Sequence, residues 1–183
     1  MRAAAIAGMV WLATLTGCIQ PKPLDDLGPA PSFQLTAETG QPFDSSSLAG
    51  HVWVADFVYT TCTGPCPMMS SQMHQLQNST AEMTDVKLVS FTVDPAHDTP
   101  TVLAAYAKHF KQDPYRWHFL TGTMSQLNAV GLGFKLNTVD GSLTHSTRFA
   151  LVDRRGHIRG FYITGEDAFM PRLMHDIRQL EKQ

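Results

Sequence analysis

The sequence predicts one α/β domain in which a β-sheet of mixed direction is flanked by helices. Apolar strand-like segments alternate with segments of helical spacing, and a turn-linked strand pair with a final helix follows them. Two cysteines lie at the first strand-to-helix junction. Without the N-terminal export-like segment and a tether up to Pro31, about 150 residues remain, which is enough for one domain with a proper core.

The first half of the domain alternates between strand and helix. Residues 52–59 are rich in β-branched and aromatic side chains and predict a buried strand, whereas 67–77 have helical spacing. A second strand is predicted at 86–93, and a second helix at 100–111 with Thr99 as its N-cap. This βαβα order predicts the central part of an α/β sheet.

The remaining elements complete the sheet and add two hairpins. The predicted elements are a strand at 117–120, a short helix at 125–130, strands at 148–152 and 158–163, and a final helix at 167–181. A short N-terminal hairpin is predicted from 33–35 and 41–43. An inserted hairpin with an Asp140-Gly141 turn is predicted between Phe134 and His145, ahead of the last strand pair.

The cysteine pair, Cys62 and Cys66, is predicted to lie on the loop after the first central strand. This is a thioredoxin-like placement, and it predicts soft-metal or redox chemistry. Backbone N–H groups and the positive end of the following helix dipole favour thiolate over thiol at such a position. The thiolate is the form that binds a metal or attacks a disulfide.

The third cysteine, Cys18, belongs to a predicted export signal. Arg2 is followed by an apolar stretch over 3–15, and Leu15-Thr16-Gly17-Cys18 resembles a bacterial lipobox. We therefore expect a lipoprotein signal peptide at 1–17 and lipidation of Cys18. The alternative is an uncleaved membrane anchor, but a span needs roughly 20 apolar residues and this stretch ends early.

The rest of the chain divides into a tether and one domain in an exported protein. Residues 18–31, rich in Pro and Asp, predict a lipid-anchored flexible tether, and 32–183 predict the folded domain. The formal net charge is −2 without a Lys/Arg cluster, so no nucleic-acid partner is expected. Export to the cell envelope places the cysteine pair outside the reducing cytosol, where its disulfide could persist.

A third ligand for a metal would have to be a histidine from elsewhere in the fold. His145 is the candidate, because a thioredoxin-like topology brings the strand after it beside the cysteine loop. Two thiolates and one imidazole suit Cu(I), and can hold Cu(II) with added ligands. Surface or structural roles are expected for the other histidines, which are His51, His74, His97, His109, His118, His157 and His175.

The sequence resembles the Sco (SenC or PrrC) family of copper chaperones for cytochrome c oxidase over about residues 33–180. The resemblance lies in DFVYTTC at 56–62 with Cys66-Pro67, FTVDP at 91–95, DTP at 98–100, the segment 117–122, and His145-Ser146 leading into 149–153. The combination is specific, whereas a CxxxC pair alone would be weak evidence.

The resemblance implies a thioredoxin-like fold and a copper site formed by Cys62, Cys66 and His145. It also implies delivery of copper to the binuclear copper site of a respiratory oxidase, with other copper carriers or thioredoxin-like reductants as further partners. Asp94 and Asp98 become candidates for assisting a Cu(II) form or for orienting His145, although turn formation and helix capping explain them equally well.

Two departures from the family pattern involve further donors. His97 stands where family members carry charged residues, and a surface histidine is favoured there over an extra ligand or proton donor. Met68 and Met69 follow Cys66 and carry thioethers, but their helical spacing favours a role in the core.

Two other functions compete with copper delivery. A thiol-disulfide oxidoreductase would use Cys62 and Cys66 as a redox pair and would not need His145. A zinc site of two cysteines and one histidine is compatible with the chemistry alone. A peroxidase of the peroxiredoxin kind is disfavoured, because its signature requires proline at the position of Tyr59.

Overall fold

The chain folds into a mixed β-sheet with helices packed on both faces. The computed structural model describes residues 22–136, 138–139, 142–143 and 146–183. Its strands are β1 (Gln34–Ala37), β2 (Pro42–Asp44), β3 (Val52–Val58), β4 (Val86–Thr92), β5 (Trp117–Thr121), β6 (Thr138–Val139), β7 (Ser142–Leu143), β8 (Arg148–Val152) and β9 (Ile158–Ile163). Its helices are α1 (Pro65–Ser79), α2 (Pro100–His109), α3 (Met124–Gly133) and α4 (Phe169–Glu181), with a 3-10 turn at Ser45–Leu48.

Within the described residues, seven strands form one sheet in the order β2-β1-β5-β4-β3-β8-β9. The central strands β3, β4 and β5 are parallel, because helices α1 and α2 provide the crossover connections between them. Strands β1, β2, β8 and β9 pair antiparallel with their neighbours. This arrangement confirms the predicted α/β class with a sheet of mixed direction.

Two hydrophobic cores lie on opposite faces of the sheet. Strand β3 is buried along its whole length, and its side chains alternate between the two faces. Val54 and Val58 pack with the buried faces of α1, α2 and α4. Trp53 and Phe57 pack with α3 and the N-terminal hairpin. A strand covered on both faces has the continuous apolar sequence that predicted it.

The N-terminal hairpin is an integral part of the sheet. Strands β1 and β2 pair as predicted, and β1 also pairs with β5, placing Thr36 opposite Thr121. Glu38 strengthens this junction, since its carboxylate accepts a hydrogen bond of 3.0 Å from the Phe119 backbone N–H. Local sequence predicted the hairpin. The pairing of β1 with β5 has no local signal, because it joins segments more than 80 residues apart.

The N-cap of α2 and the inserted hairpin agree with the predictions from the sequence. The Thr99 side chain caps α2 by accepting from the Val102 backbone N–H, at 3.4 Å, as predicted. Strands β6 and β7 form the inserted hairpin between α3 and β8. Its predicted turn residues, Asp140 and Gly141, lie outside the described residues.

Part of the predicted flexible tether lies against the domain. The Leu27 backbone N–H donates to the Ile158 carbonyl, and the Ile158 N–H donates back to the Gly28 carbonyl, both at 2.9 Å. Pro29 also forms an isolated antiparallel bridge with His157 at the start of β9. These bonds occupy the beginning of the β9 edge, where the sheet of the described residues ends.

Side chains hold the same stretch in place. Pro31 packs so closely on α3 that a Cβ at Gly133 would lie 2.6 Å from its ring. Arg159 donates to the Leu24 carbonyl and forms a buried ion pair of 3.0 Å with Asp153. Residues 22–31 are therefore docked on the domain, which corrects the expectation of a solvated, flexible segment for this part of the tether.

The export signal at 1–17 and the lipidation residue Cys18 lie outside the described residues. Over the described parts of the chain, the helices lack the length and apolar character needed to cross a membrane.

Candidate metal and redox site

The two cysteines lie at the junction between β3 and α1. After β3 the chain turns, and the Cys62 backbone N–H donates to the Tyr59 carbonyl at 3.2 Å. Helix α1 has Gly64 as its N-cap and a proline at its first position, where a missing N–H and a fixed φ favour a helix start. Cys62 therefore lies on the predicted loop, whereas Cys66 lies in the first turn of the helix, which corrects its predicted loop position.

The Cys62 thiol ionises more easily than an ordinary thiol. Burial is the largest influence and raises its pKa, but hydrogen bonds from the Cys66 backbone and thiol, the Gly64 backbone and the Tyr59 hydroxyl together lower the pKa below its usual value. These donors are those expected near a helix N-terminus. Cys62 is thus the member of the pair that becomes thiolate first.

The Cys66 thiol, in contrast, resists ionisation. It has no exposed surface, and burial raises the pKa of its thiol to about 12, with further contributions from the Cys62 hydrogen bond and from negative charge on Cys62 and Asp56. Both cysteines are free thiols. The pair therefore combines one easily ionised sulfur at the loop with one protected sulfur in the core.

Asp98 fixes the shape of the cysteine loop. Its buried carboxylate accepts hydrogen bonds from the Thr60 backbone N–H at 3.1 Å, from the Thr60 hydroxyl at 2.5 Å and from the Thr92 hydroxyl at 2.5 Å. These bonds connect the segment before α2 to a residue two positions before Cys62. The structure therefore places Asp98, one of the two predicted supporting carboxylates, directly behind the loop.

Asp94, the other predicted carboxylate, shapes the turn that presents Asp98. Its carbonyl accepts from the Asp98 backbone N–H at 2.8 Å, and its own N–H donates to the Thr92 hydroxyl at 3.0 Å. The negative charge of Asp94 also helps to raise the pKa of Tyr59, after the larger effect of the hydrogen bond between Tyr59 and Cys62. Asp94 therefore acts on the site through charge and turn geometry.

Asp56 is a site residue that the sequence patterns did not predict. It lies on β3 between residues of the α1-facing core, so its side chain points toward the face that holds Cys66. It is fully buried, and neither carboxyl oxygen makes a well-formed hydrogen bond with the described residues. Burial raises its pKa to about 7, which the nearby Ser90 hydroxyl opposes only in part. The sequence signal that could have identified Asp56 is the presence of an aspartate inside an apolar strand.

The two methionines after Cys66 differ in position. Met69 is fully buried among the core residues, as its spacing predicted. Met68 is 47% exposed, so the predicted core role is wrong for this side chain. The reason is the angle of 100° per residue on a helix, which turns Met68 away from the face that buries Cys66 and Met69.

The described histidines outside this site have separate surroundings. His51 bonds the Asp85 carbonyl, His74 bonds Asn78, His157 pairs with Asp26, His109 contacts Phe110 and His118 contacts Phe43. Among the described residues, three or more His, Cys, Asp or Glu side chains do not come together in a ready metal-binding group. His145, the predicted third ligand, lies outside the described residues.

Strand β8 begins close to the cysteine loop. Strand β8 is antiparallel to β3, with Ala150 opposite Ala55, so its first residue lies at the end of β3 that continues into the loop. The Thr147 carbonyl accepts from the Thr164 N–H at 2.7 Å, and the Thr164 hydroxyl donates to Gln72 of α1 at 2.9 Å. The segment just before β8 is thereby tied to the helix that carries Cys66.

Comparisons with known proteins agree with this architecture. A solved SCO1/SenC family lipoprotein from Bacillus anthracis is 32% identical, with a TM-score of 0.77 over 87% of this chain and 99% of that one. BsSco, described as a Sco-family cytochrome c oxidase assembly protein with a disulfide switch, is 30% identical, with a TM-score of 0.75 over 87% and 98%. These matches confirm the predicted fold.

Sequence comparison extends the match to most of the chain. A relative from Stutzerimonas stutzeri, whose description names copper binding, is 34% identical over 164 residues, which cover 81% of this chain and 78% of the relative. The sequence model described as SCO1/SenC matches residues 24–180. The chain is therefore a member of the SCO1/SenC family.

Proposed function

We propose that this chain is a copper chaperone that carries Cu(I) on Cys62, Cys66 and His145 and delivers it to the copper site of a cytochrome c oxidase. The observation that carries this proposal is the pair of free, adjacent thiols at the start of α1. Soft thiolate donors with one imidazole favour Cu(I) over harder cations. Family membership, with relatives described by copper binding and oxidase assembly, supports copper as the cargo.

The course of β8 supports His145 as the third ligand. His145 precedes Arg148, the first residue of β8, by three positions, and three residues of extended chain span at most ~10 Å. β8 begins at the end of β3 that leads into the cysteine loop, and this course of the chain supports a ligand from the residues just before β8. A neutral imidazole completes a three-ligand Cu(I) site, whose low coordination allows an acceptor to replace the ligands one at a time.

The test is a Cu(I) titration of the full chain, reduced and free of oxygen, against a chromophoric chelator. We expect one Cu(I) per chain. His145→Ala should weaken Cu(I) binding by more than the ~10–100-fold that loss of an outer-shell partner costs. His109→Ala, which removes an exposed histidine at the end of α2, is the control and should bind like the wild type. Unchanged affinity in His145→Ala would reject the ligand assignment.

Thiol-disulfide exchange is a second candidate function, favoured by the unequal thiols. Cys62, with its lowered pKa, would attack a partner disulfide and form a mixed disulfide, and Cys66 would then attack Cys62 to release the reduced partner. Two electrons pass from the dithiol to the partner, and the chain is left with a Cys62–Cys66 disulfide. This activity should survive His145→Ala, and Cys66→Ser should trap the mixed disulfide.

We also propose that Cys18 carries the lipid that anchors the chain at the cell envelope. Cleavage after residue 17 would leave Cys18 as the first residue, four positions before the docked stretch that begins at Lys22. The Bacillus anthracis relative is described as a lipoprotein, which supports this anchor. Labelling with a fatty-acid analogue should mark the wild type and not Cys18→Ser, and equal labelling would contradict the proposal.

A further inference from the structure

His97 lies in the loop before α2 and contacts the cysteine loop. Its Nδ1 atom is 3.2 Å from Oδ1 of Asp98 and 3.3 Å from the hydroxyl oxygen of Thr60. Asp98 is fully buried, whereas the His97 side chain is 51% exposed. One histidine therefore links the solvent to the carboxylate that holds the loop carrying Cys62.

The hydrogen bonds define which nitrogen of His97 carries the proton. The Thr60 hydroxyl donates its single proton to Asp98, so toward His97 it can only accept. The Asp98 carboxylate also accepts, and Nδ1 must therefore be the donor to these oxygens. In the neutral imidazole Nε2 then bears the lone pair. Nε2 makes no hydrogen bond with the described residues, and it belongs to a side chain that is 51% exposed.

We propose that Nε2 of His97 is an accessory copper ligand through which Cu(I) enters and leaves the Cys62–Cys66 pair. The inference rests on the proposed copper function and adds a residue to its route. A metal-ligating histidine usually donates its other ring N–H to a carboxylate, which orients the ring and raises its basicity. His97 has this arrangement with Asp98. Asp98 in turn accepts a hydrogen bond from the backbone N–H of Thr60, which lies two residues before Cys62.

The proposed step is an exchange of ligands. Copper stays Cu(I) throughout: a bond from copper to Nε2 forms as a bond from copper to one of the inner ligands breaks, and no electron is transferred. An exposed imidazole suits this role because it is reachable by an incoming donor, while Cys66 has no exposed surface.

A purely structural role for His97 makes a different prediction. Asp98 already accepts three hydrogen bonds from Thr60 and Thr92, so its carboxylate remains partnered without the imidazole. Two substitutions separate the roles. His97→Asn can keep a side-chain N–H near Asp98 but loses the second imidazole nitrogen, whereas His97→Met loses the hydrogen bond but supplies a soft thioether donor.

The experiment measures Cu(I) transfer from the loaded full chain to bicinchoninate by stopped-flow absorbance, without oxygen. We expect wild type and both His97 variants to hold one Cu(I) per chain at similar affinity. Transfer should slow about tenfold in His97→Asn, on the scale seen when a ligand's support is lost, and recover in His97→Met. His109→Ala, an exposed histidine on the far end of α2, is the matched control and should transfer at the wild-type rate.

The outcomes separate this inference from the proposed function. If the wild type takes up no Cu(I), the copper function itself fails. If the wild type loads normally and His97→Asn transfers as fast as the wild type, the function stands and the role of His97 is refuted. A slow His97→Met with a normal His97→Asn would also refute it, since the hydrogen bond to Asp98 would then be the property that matters.

Discussion

Replacing Asp56 with asparagine should remove a pH-dependent loss of stability that the wild type suffers between pH 4 and 8. Asp56 is completely buried, and burial raises its pKa to about 7 from an ordinary value of 3.8. Between these values the folded chain keeps a proton that the unfolded chain releases. The folded state therefore binds more protons in this window, and the free energy of unfolding falls as the pH rises.

The magnitude follows from the two pKa values. Each pH unit in the window corresponds to ~1.4 kcal/mol, so the free energy of unfolding should fall by up to ~4 kcal/mol between pH 4 and pH 8 because of this one group. Asparagine has the size of the protonated acid and cannot ionise. The wild type and Asp56→Asn should therefore have similar free energies of unfolding near pH 4, and the wild type should be the less stable protein at pH 8.

The assay is urea unfolding of the reduced chain, followed by tryptophan fluorescence and circular dichroism, at half-unit steps from pH 4.5 to pH 8. The quantity of interest is the difference in free energy of unfolding between wild type and Asp56→Asn, in which the other titrating groups cancel. Asp26→Asn is the control, because hydrogen bonds from Gly28 and His157 lower the pKa of Asp26 below 3.8, so the difference between this variant and the wild type should stay nearly constant from pH 4.5 to pH 8. A wild-type minus Asp56→Asn difference that stays constant across the range would contradict the raised pKa of Asp56.

Three further predictions concern the site and the docked tether. Cys62 should react with iodoacetamide at neutral pH at least ~10-fold faster than its partner thiol, measured by peptide mass mapping, and equal rates would contradict the lowered pKa. Asp98→Ala should lower the free energy of unfolding by about 3 kcal/mol, because it strands buried donors, and a loss below ~1 kcal/mol in urea would argue against that network. Arg159→Ala should lower the free energy of unfolding by about 3–5 kcal/mol, because it removes the buried ion-pair partner of Asp153 and leaves that buried carboxylate with the exposed Arg155. Arg155→Ala, which removes a 75% exposed partner of the same carboxylate, should change stability by less than ~0.5 kcal/mol, and equal losses would show that burial is not the cause.

Local patterns were enough to predict most of the secondary structure and the position of the thiols. The apolar run of β3, the spacing in α1 and the Thr99 cap all act within a few residues, so periodicity and capping rules apply to them. The start of α1 was placed two residues late, because Pro65 was assigned to the loop when it is the first residue of the helix.

The support around the thiols could not be predicted in the same way. Thr60 and Asp98 lie 38 positions apart, and only the parallel pairing of β3 with β4 brings the two following loops together. The sequence suggested Asp98 for the site through the family resemblance, but not its bonds to the cysteine loop. Asp56 was missed because the strand pattern explains its neighbours, and its lack of partners is a property of the packed core.

The position of two cysteines at a strand-to-helix junction in an α/β domain could be predicted from the sequence, because helix starts, strand periodicity and residue spacing are local properties. The difference between the two thiols depends on tertiary contacts. Packing buries Cys66 against the face that holds Asp56, and the start of α1 surrounds Cys62 with hydrogen-bond donors. Packing also docks residues 22–31 on the β9 edge, although their composition predicted a flexible tether. These features depend on burial and on contacts between distant segments, and both exist only once the sheet has formed.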